Sequence, residues 1–320
     1  MRKVQGDRMK KLLILLLAAA LLTVLSACGL PEEDGRLSVV TTLFPQYDFA
    51  RNIAGERANV SLLLDFGVDA HSYDPTPADV IAIARADLFL YTGDGMELWV
   101  KRLLNTPDIR RAVESGSLTV LDLSTRVTPV CLHDHTEEHG HDHDHGEYDP
   151  HIWTAPEAAI AMCDGITEAL CAIDAEGAEH YREQNHAYRA QLNALCTEAK
   201  RLTPAHDTVY FGGSFAFAYL FDELGLHHKS VFEGCASHAE ATAADIAEIV
   251  DSMRQSTAKY VFYDTPSEEK TARIIAGLTV AEPLRLHAIH NISKAEFDAG
   301  ENYFSLMLQN LETLRKALEE

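Results

Sequence analysis

The sequence has little positive charge and no paired cysteine motif. Its 320 residues include 27 lysines and arginines against 49 aspartates and glutamates, a formal net charge of −22. A surface of that sign repels the nucleic-acid backbone and attracts cations, so nucleic acid is not an expected partner. None of the 6 cysteines belongs to a Cys-x-x-Cys pair, and an odd number remains after Cys28. The sequence therefore favours neither a disulfide framework nor a cysteine zinc knuckle.

The chain also lacks an apolar run long enough to cross a bilayer comfortably. The run at 12–25 falls short of the roughly 20 residues of a transmembrane helix, and basic residues before it are typical of a signal peptide. Small residues then precede Cys28, as in a bacterial lipobox. We therefore expect a lipoprotein signal peptide at 1–28, a lipid on Cys28, a tether at 29–36, and a protein anchored on the extracytoplasmic face of the cell membrane. A plain secretory signal or an uncleaved anchor is the alternative.

Beyond the tether, short apolar runs alternate with amphipathic helical segments. The first set of runs is LSVVTTLF (37–44), VSLLLD (60–65), DLFLYTG (87–93) and LTVLDL (118–123). The second set is TVYFGG (208–213), KSVFEG (229–234), KYVFYD (259–264) and PLRLH (283–287). This alternation predicts an α/β fold of two lobes, each a small, mainly parallel sheet covered by helices. We place the N-terminal lobe at 37–173 and the C-terminal lobe at 204–320.

The segment between the lobes, 174–203, has a helical period. Apolar and small residues recur at steps of three and four: Ala178, Tyr181, Asn185, Tyr188, Leu192, Leu195, Ala199 and Leu202. Such spacing puts them on one face of a helix of about 25 residues, about 37 Å long. A helix of this length can hold the two lobes at a fixed separation. A coiled-coil dimer seam is the alternative, although the stripe lacks the aliphatic residues of stable zippers, and we expect a monomer.

Two histidines occupy similar positions in the predicted fold. His71 lies in GVDAHSYDPTPADV and His151 in YDPHIWTAPEAA, each in a loop next to a proline-initiated helix. Loops between strands and helices are where α/β folds place ligands. A single loop histidine is ordinary, but two in the same setting together favour a binding site.

Several segments resemble the zinc/manganese solute-binding lipoproteins of bacterial ABC transporters, the cluster A-I metal-binding receptors, in the zinc type with a His-rich loop. The resemblance extends along nearly the whole chain after the signal peptide, and its GxxxHxYxPTP and DPHxW patterns are specific rather than generic. The matching stretches are TTLFPQYDFARNIAGERANV, LLDFGVDAHSYDPTPADV, ADLFLYTGDGMELWV, YDPHIWTAPEAA and NYFSLMLQNLETLRKAL. The family resemblance implies two α/β lobes joined by one rigid helix, with a metal ion between the lobes.

Carried over from that family, the two N-lobe ligands fall on His71 and His151. The position of the third ligand is Ser214, whose hydroxyl is a poor zinc ligand. The fourth, an aspartate in the family, falls on His287, with His290 just beyond it. The resemblance therefore implies a site of His71, His151 and His287, with His290, water or a nearby carboxylate completing it. Imidazole in place of carboxylate suits Zn²⁺ better than Mn²⁺.

His238 and Glu240, in CASHAEAT, are weaker ligand candidates. The interpretation that the sequence favours is that they belong to a polar loop that caps the helix starting near Thr242.

A dense histidine run precedes His151, within a predicted loop at 131–149. Its members are His133, His135, His139, His141, His143 and His145. Alternating histidine and acidic residues cannot build a core, so we expect a mobile loop that captures Zn²⁺ transiently; a merely solvating or metal-storing tract is the alternative. The run also contains the peptidase pattern His-x-x-Glu-His at 135–139, but that motif works only on a helix, and this segment has no helical period.

Together these features predict an extracytoplasmic receptor that binds Zn²⁺ with high affinity and delivers it to an ABC permease, without catalysis. A receptor for manganese or another divalent metal, or a surface adhesin, is the alternative, and a zinc hydrolase is a more remote one.

Overall fold

The computed structural model describes residues 35–68, 71–131, 148–232 and 241–319. Several predicted features lie outside these ranges: the signal peptide with Cys28, most of the tether, the histidine run from His133 to His145, and His238 with Glu240. The elements described below belong to the unit Leu37–Glu320.

The first sheet has four parallel strands in the order β2-β1-β3-β4. Its strands are β1 (Leu37–Thr41), β2 (Ala58–Leu62), β3 (Leu88–Tyr91) and β4 (Thr119–Asp122). The helices of this half are α1 (Phe44–Ala54), α2 (Pro77–Ala84), α3 (Val100–Leu104), α4 (Pro107–Ser115) and α5 (Pro156–Ile173). The central strand β3 is buried along its whole length, as its continuous apolar run predicts for a strand covered on both faces.

The second sheet repeats this arrangement, with four parallel strands in the order β6-β5-β7-β8. Its strands are β5 (Thr208–Ser214), β6 (His227–Phe232), β7 (Tyr260–Tyr263) and β8 (Glu282–Arg285). Its helices are α7 (Ala218–Leu224), α8 (Ala243–Arg254), α9 (Pro266–Leu278), α10 (Lys294–Asp298) and α11 (Tyr303–Glu319). The predicted α/β fold with two parallel-sheet lobes is confirmed, and every predicted apolar run contains or overlaps a strand.

A helix of 22 residues, α6 (Ala178–Ala199), connects the two halves. It starts after a 3-10 turn at Ala175–Gly177 and is about 33 Å long at 1.5 Å per residue. Of the predicted stripe, all members except Ala178 are buried. They pack into the core of their own chain, where α6 contacts α1, α5 and α11. This face is therefore not available as a coiled-coil seam.

The same strand order creates the same feature in both sheets. In the first sheet β2 lies on one side of β1 and β3 lies on the other side. In the second sheet β6 and β7 flank β5 in the same way. Ligands of open α/β sheets bind at the carboxyl ends of strands where the order reverses in this way. We call these places the first crossover edge, after β1 and β3, and the second crossover edge, after β5 and β7.

The two halves share one hydrophobic core. A single cluster of buried residues contains Phe49 and Trp153 from the first half, Leu192 from α6, and Phe211 and Tyr303 from the second. Interiors packed this closely resist gradual deformation. Within the ranges that the structure describes, none of the helices is both long and apolar enough to traverse a bilayer.

Candidate metal centre

Three histidines from distant parts of the chain converge between the lobes. The ring centroid of His71 lies 5.5 Å from that of His151 and 6.5 Å from that of His290. His71 precedes α2, whose first turn is fixed by Pro77 and by the capping hydroxyl of Thr76. Because these elements are set by local sequence, the loop that carries His71 has a defined exit from β2 and entry into α2.

His151 is held in one orientation by a buried carboxylate. Its Nδ1 lies 2.6 Å from Asp149 Oδ1, which also accepts a hydrogen bond from the His151 backbone N–H at 2.8 Å. The Nδ1–H donates to the carboxylate, so the lone pair of the neutral ring is on Nε2. A carboxylate that orients a histidine in this way is the usual support of a metal-ligating imidazole.

Asp149 also joins the two halves of the molecule. Its Oδ2 accepts a hydrogen bond from the backbone N–H of Ala218, the first residue of α7, at 3.2 Å. Burial alone would raise the pKa of Asp149, but the charge and hydrogen bonds of His151 together with the Ala218 N–H lower it. The carboxylate is therefore ionised at neutral pH, as a group that orients a metal ligand must be.

His290 lies in a short loop after β8 whose backbone is unusual. Ile289, just before it, has φ = 62°, the one positive φ among the non-glycine residues that the structure describes. The His290 Nδ1 atom is buried without a hydrogen-bond partner. Burial lowers the pKa of His290 to about 4, with Asp264 opposing and the neighbouring histidines adding to the shift. The ring is therefore neutral at physiological pH, the state in which imidazole binds a metal.

The loop of His290 is held from the N-terminal half as well as from its own strand. The Asn291 side-chain amide donates to the carbonyls of Asp65 and Val68, both at 2.8 Å. Trp153 Nε1 donates to the carbonyl of Ala288 at 2.7 Å. These bonds join the loop that carries His290 to the N-terminal half, so they fix the spacing of the facing loops.

The ring nitrogens of His287 face other groups than the cluster. Its Nδ1 accepts the backbone N–H of Ile289 at 2.9 Å, and its Nε2 faces Glu296 Oε1 at 3.6 Å, an electrostatic contact slightly longer than a hydrogen bond. The proximity of His287 is the main reason that the pKa of Glu296 is lowered. The family resemblance implied His287 as a ligand, with His290, water or a carboxylate completing the site, whereas the geometry puts the ring of His290 beside that of His71.

Ser214 ends β5 at the second crossover edge, next to the end of β7. Its backbone N–H donates to Glu268 Oε1 at 2.8 Å, and Asp264 follows β7 immediately. Asp264 Oδ2 lies 3.9 Å from His290 Nδ1. Sequence reasoning did not single out Asp264. The sequence does show an aspartate at the end of the KYVFYD strand. That residue becomes a candidate metal ligand only because β7 lies beside β5 in the folded sheet.

Among the described residues, no group of three or more His, Cys, Asp or Glu side chains already surrounds a single metal position. Tetrahedral zinc with ligand distances of about 2.0–2.1 Å brings donor atoms to about 3.3 Å from one another. Metal coordination by the histidine cluster would therefore require its side chains to draw together.

Comparisons with known proteins agree with this architecture. Residues 39–317 match the family model described as "ZnuA: Zinc-uptake complex component A periplasmic". The zinc-binding lipoprotein AdcA of Streptococcus pneumoniae is 31% identical over 315 residues, which are 98% of this chain and 62% of AdcA. The high-affinity zinc uptake system protein ZnuA of Bacillus subtilis is 30% identical over 320 residues, 95% of this chain and 97% of that protein.

Solved structures give the same result. The Zn(II)-bound ZnuA-like domain of Streptococcus pneumoniae AdcA superposes with a TM-score of 0.75 at 26% identity, covering 89% of this chain and 100% of that domain. The chain spans 62% of the length of the AdcA protein itself. Because the family model covers most of the chain and the two-lobed fold is shared, this protein belongs to the ZnuA family.

Proposed function

We propose that this protein is a receptor that binds Zn²⁺ between its lobes through His71, His151 and His290 and delivers it to an ABC permease. The observation that carries the proposal is the hydrogen bond between Asp149 and His151, which orients an imidazole beside two further histidines. Imidazole ligands at this cluster would favour Zn²⁺ over Mn²⁺, which prefers oxygen ligands. The zinc-binding names of the relatives AdcA and ZnuA point in the same direction.

The proposal includes a location and an anchor. Cys28 would carry the lipid, and the protein would work at the outer face of the cell membrane, where the permease receives the metal. The name lipoprotein belongs to the AdcA relative, and the lipobox-like residues before Cys28 support the same anchor here.

Binding and release on this account involve loops rather than wide lobe opening. The hydrogen bonds from Asn291 and Trp153 and the shared core hold the lobes together. A receptor also closes its coordination sphere, whereas a zinc enzyme keeps a position open for water or substrate. Catalysis is therefore no part of the proposed role.

A matched pair of substitutions tests the proposal. His290→Asn removes one proposed ligand, while His287→Asn keeps an oxygen acceptor for the Ile289 N–H and leaves the cluster intact. Competition of the metal-free protein with a chromophoric chelator measures the dissociation constant for Zn²⁺. With roughly 3 kcal/mol for each ligand of a tight zinc site, His290→Asn should weaken binding about 100-fold or more.

His287→Asn should change the zinc dissociation constant by less than about threefold, because losses of about tenfold or more are typical of groups that orient a ligand directly, and asparagine keeps the acceptor that His287 offers to the Ile289 N–H. The reverse order of effects would contradict the ligand set. Tight Mn²⁺ binding by the wild-type protein, with weak Zn²⁺ binding, would replace zinc by manganese as the cargo. Loss of permease-dependent zinc uptake in cells that carry His290→Asn would connect the site to transport.

A further inference from the structure

The three histidines of the proposed function leave the zinc coordination sphere incomplete. Structural zinc sites are almost always four-coordinate, and Ser214, at the end of β5, offers only a neutral hydroxyl. We propose, on the basis of that function, that Asp264 supplies the missing ligand through Oδ2, and that His290 binds the metal through Nδ1. Asp264, at the end of β7, would thus provide the anionic ligand that Ser214, at the end of β5, cannot provide.

The two atoms that the proposal joins already face each other. Asp264 Oδ2 and His290 Nδ1 are 3.9 Å apart, and both side chains are largely buried. Two donors on one tetrahedral zinc ion are about 3.3 Å apart. A shift well below 1 Å, within the reach of side-chain rotation, would therefore bring this pair to ligand spacing around a shared ion.

A buried ring nitrogen without a hydrogen-bond partner is unusual in a folded protein. His290 Nδ1 is such an atom, although an aspartate oxygen lies just beyond hydrogen-bond distance. A metal ion between the two groups would satisfy both. It would also place a negative charge beside Zn²⁺, which lowers the cost of holding a dication away from water.

The other oxygen of Asp264 fixes the direction of its side chain. Oδ1 accepts the backbone N–H of Ala288 at 3.0 Å, two residues before His290. The carboxylate is therefore bonded to the loop that carries its partner ligand, and Oδ2 is the atom left to face the imidazole. Such preorganisation reduces the entropy lost when the metal binds.

Glu268 positions Asp264 without being a ligand itself. Glu268 Oε1 accepts the N–H of Ser214 at 2.8 Å, and Oε2 accepts the N–H groups of Asp264 and Thr265 at 3.0 and 3.3 Å. This carboxylate joins the ends of β5 and β7 at the second crossover edge. Gly213 makes the approach possible, because a Cβ there would lie 2.2 Å from Glu268 Cδ.

Asp264→Asn is the variant that tests the proposal. Asparagine keeps an acceptor for the Ala288 N–H but removes the anionic ligand. Zinc affinity should fall about 10-fold to 1,000-fold, within the range expected between loss of a supporting group and loss of a full ligand. Asp251→Asn, an exposed carboxylate on α8, is the matched control and should leave the affinity unchanged.

Cobalt substitution separates a ligand from a positioning residue. Co²⁺ in the wild-type protein should give the intense visible bands of a tetrahedral site, and Asp264→Asn should shift them and change their intensity. Lower affinity with unchanged cobalt bands would show that Asp264 only positions His290, and would overturn the proposal. Unchanged affinity would overturn it as well.

A second substitution distinguishes loss of a ligand from misfolding of the variant. In Asp264→Asn, the further change Ser214→His places an imidazole on the adjacent strand end and should recover at least about tenfold in zinc affinity. No recovery by a variant with the wild-type circular dichroism spectrum would count against the assignment. Different results would contradict the proposed function itself. These are an unchanged zinc affinity in His151→Ala, or no tight zinc binding by the wild-type protein.

Discussion

The two crossover edges have the same topology but different chemistry. At the first edge, Glu97 is buried and accepts hydrogen bonds from Thr42 Oγ1 at 2.5 Å and from the N–H groups of Thr92 and Gly93 at 3.0 to 3.1 Å. At the second edge, Asp264 faces His290 Nδ1, which has no hydrogen-bond partner. At the first edge Glu97 is fully hydrogen-bonded, whereas at the second the buried His290 Nδ1 has no hydrogen-bond partner beside the Asp264 carboxylate.

This contrast matches the positions of the proposed ligands in each half. At the first edge Glu97 bonds its own strand ends, and the proposed ligands of the N-terminal half, His71 and His151, lie in loops. At the second edge Asp264 directly follows β7, and His290 faces it from the loop after β8. We therefore expect the carboxylate of Glu97 to be structural and that of Asp264 to be available to a metal ion.

The largest expected effect is that of His151→Ala. It removes a proposed ligand and leaves the buried carboxylate of Asp149 without its partner, so zinc affinity should fall about 100-fold to 10,000-fold. Chelator competition measures the affinity, and zinc-free urea unfolding measures the separate cost to stability. An affinity within threefold of wild type would show that the N-terminal half contributes no ligand at this position.

Asp149→Asn should have a smaller effect, because it alters the support of a ligand and not the ligand. Loss of the charged acceptor weakens the orientation of His151, and zinc affinity should fall about 10-fold to 100-fold. Isothermal titration with a competing chelator can resolve this range. A loss as large as that of His151→Ala would mean that Asp149 itself reaches the metal.

Glu97→Gln tests whether the first crossover edge lies outside the metal site. Its zinc affinity should stay within about threefold of wild type, because losses of about tenfold or more are typical of groups that orient a metal ligand, whereas Glu97 bonds Thr42, Thr92 and Gly93. The same chelator competition measures this value. A loss of tenfold or more would place the first edge in the metal site and end the contrast between the edges.

Glu97 should be visible instead in the pH dependence of stability. Burial raises its pKa from 4.5 to about 7, against the opposing hydrogen bonds of Thr42, Thr92 and Gly93. Between these two values the folded state keeps the proton of Glu97 while the unfolded state releases it. The protonated carboxyl group therefore contributes to the free energy of unfolding below pH 4.5, and this contribution is lost as the pH rises through about 7.

The zinc-free wild-type protein should thus lose up to about 3 kcal/mol of unfolding free energy, relative to Glu97→Gln, between pH 4.5 and pH 7. Urea unfolding of both proteins across that range measures the difference. Parallel curves would contradict a raised pKa at Glu97.

Deletion of 133–147 should change the tight site least. If the histidine run captures zinc separately from the cluster, the tight dissociation constant stays within about threefold while the total number of weakly bound zinc ions falls. Calorimetry on the deletion variant gives both quantities. Absence of a tight site would mean that the run supplies ligands to it.

The sequence contained most of the fold because its signals were local. Apolar runs bounded by glycine, aspartate or proline marked the strands, and the spacing of Tyr181, Tyr188 and Leu195 marked the face of α6 that is buried. The motifs around His71 and His151 placed both residues in loops that the structure brings together. Patterns of this kind depend on neighbours within a few residues, so one sequence suffices to read them.

The C-terminal part of the site could not be read in the same way. The resemblance implied His287 as a ligand, but His290 is the residue beside His71, and its loop contains a positive φ at Ile289, which no spacing rule predicts for a β-branched residue. Asp264 becomes significant only because β7 lies beside β5, and Glu268 joins the ends of those strands. These relations are long-range, and they appear only when the chain is folded.

The central claim is that zinc binds between the lobes to histidines from both halves of the chain. A crystal structure of the zinc-loaded protein, with anomalous diffraction recorded at the zinc absorption edge, tests it most directly. We expect one strong anomalous peak within about 2.2 Å of ring nitrogens of His71, His151 and His290 and of Asp264 Oδ2. A peak coordinated by His287 with His290 turned away, or no ordered peak in the cleft, would contradict it.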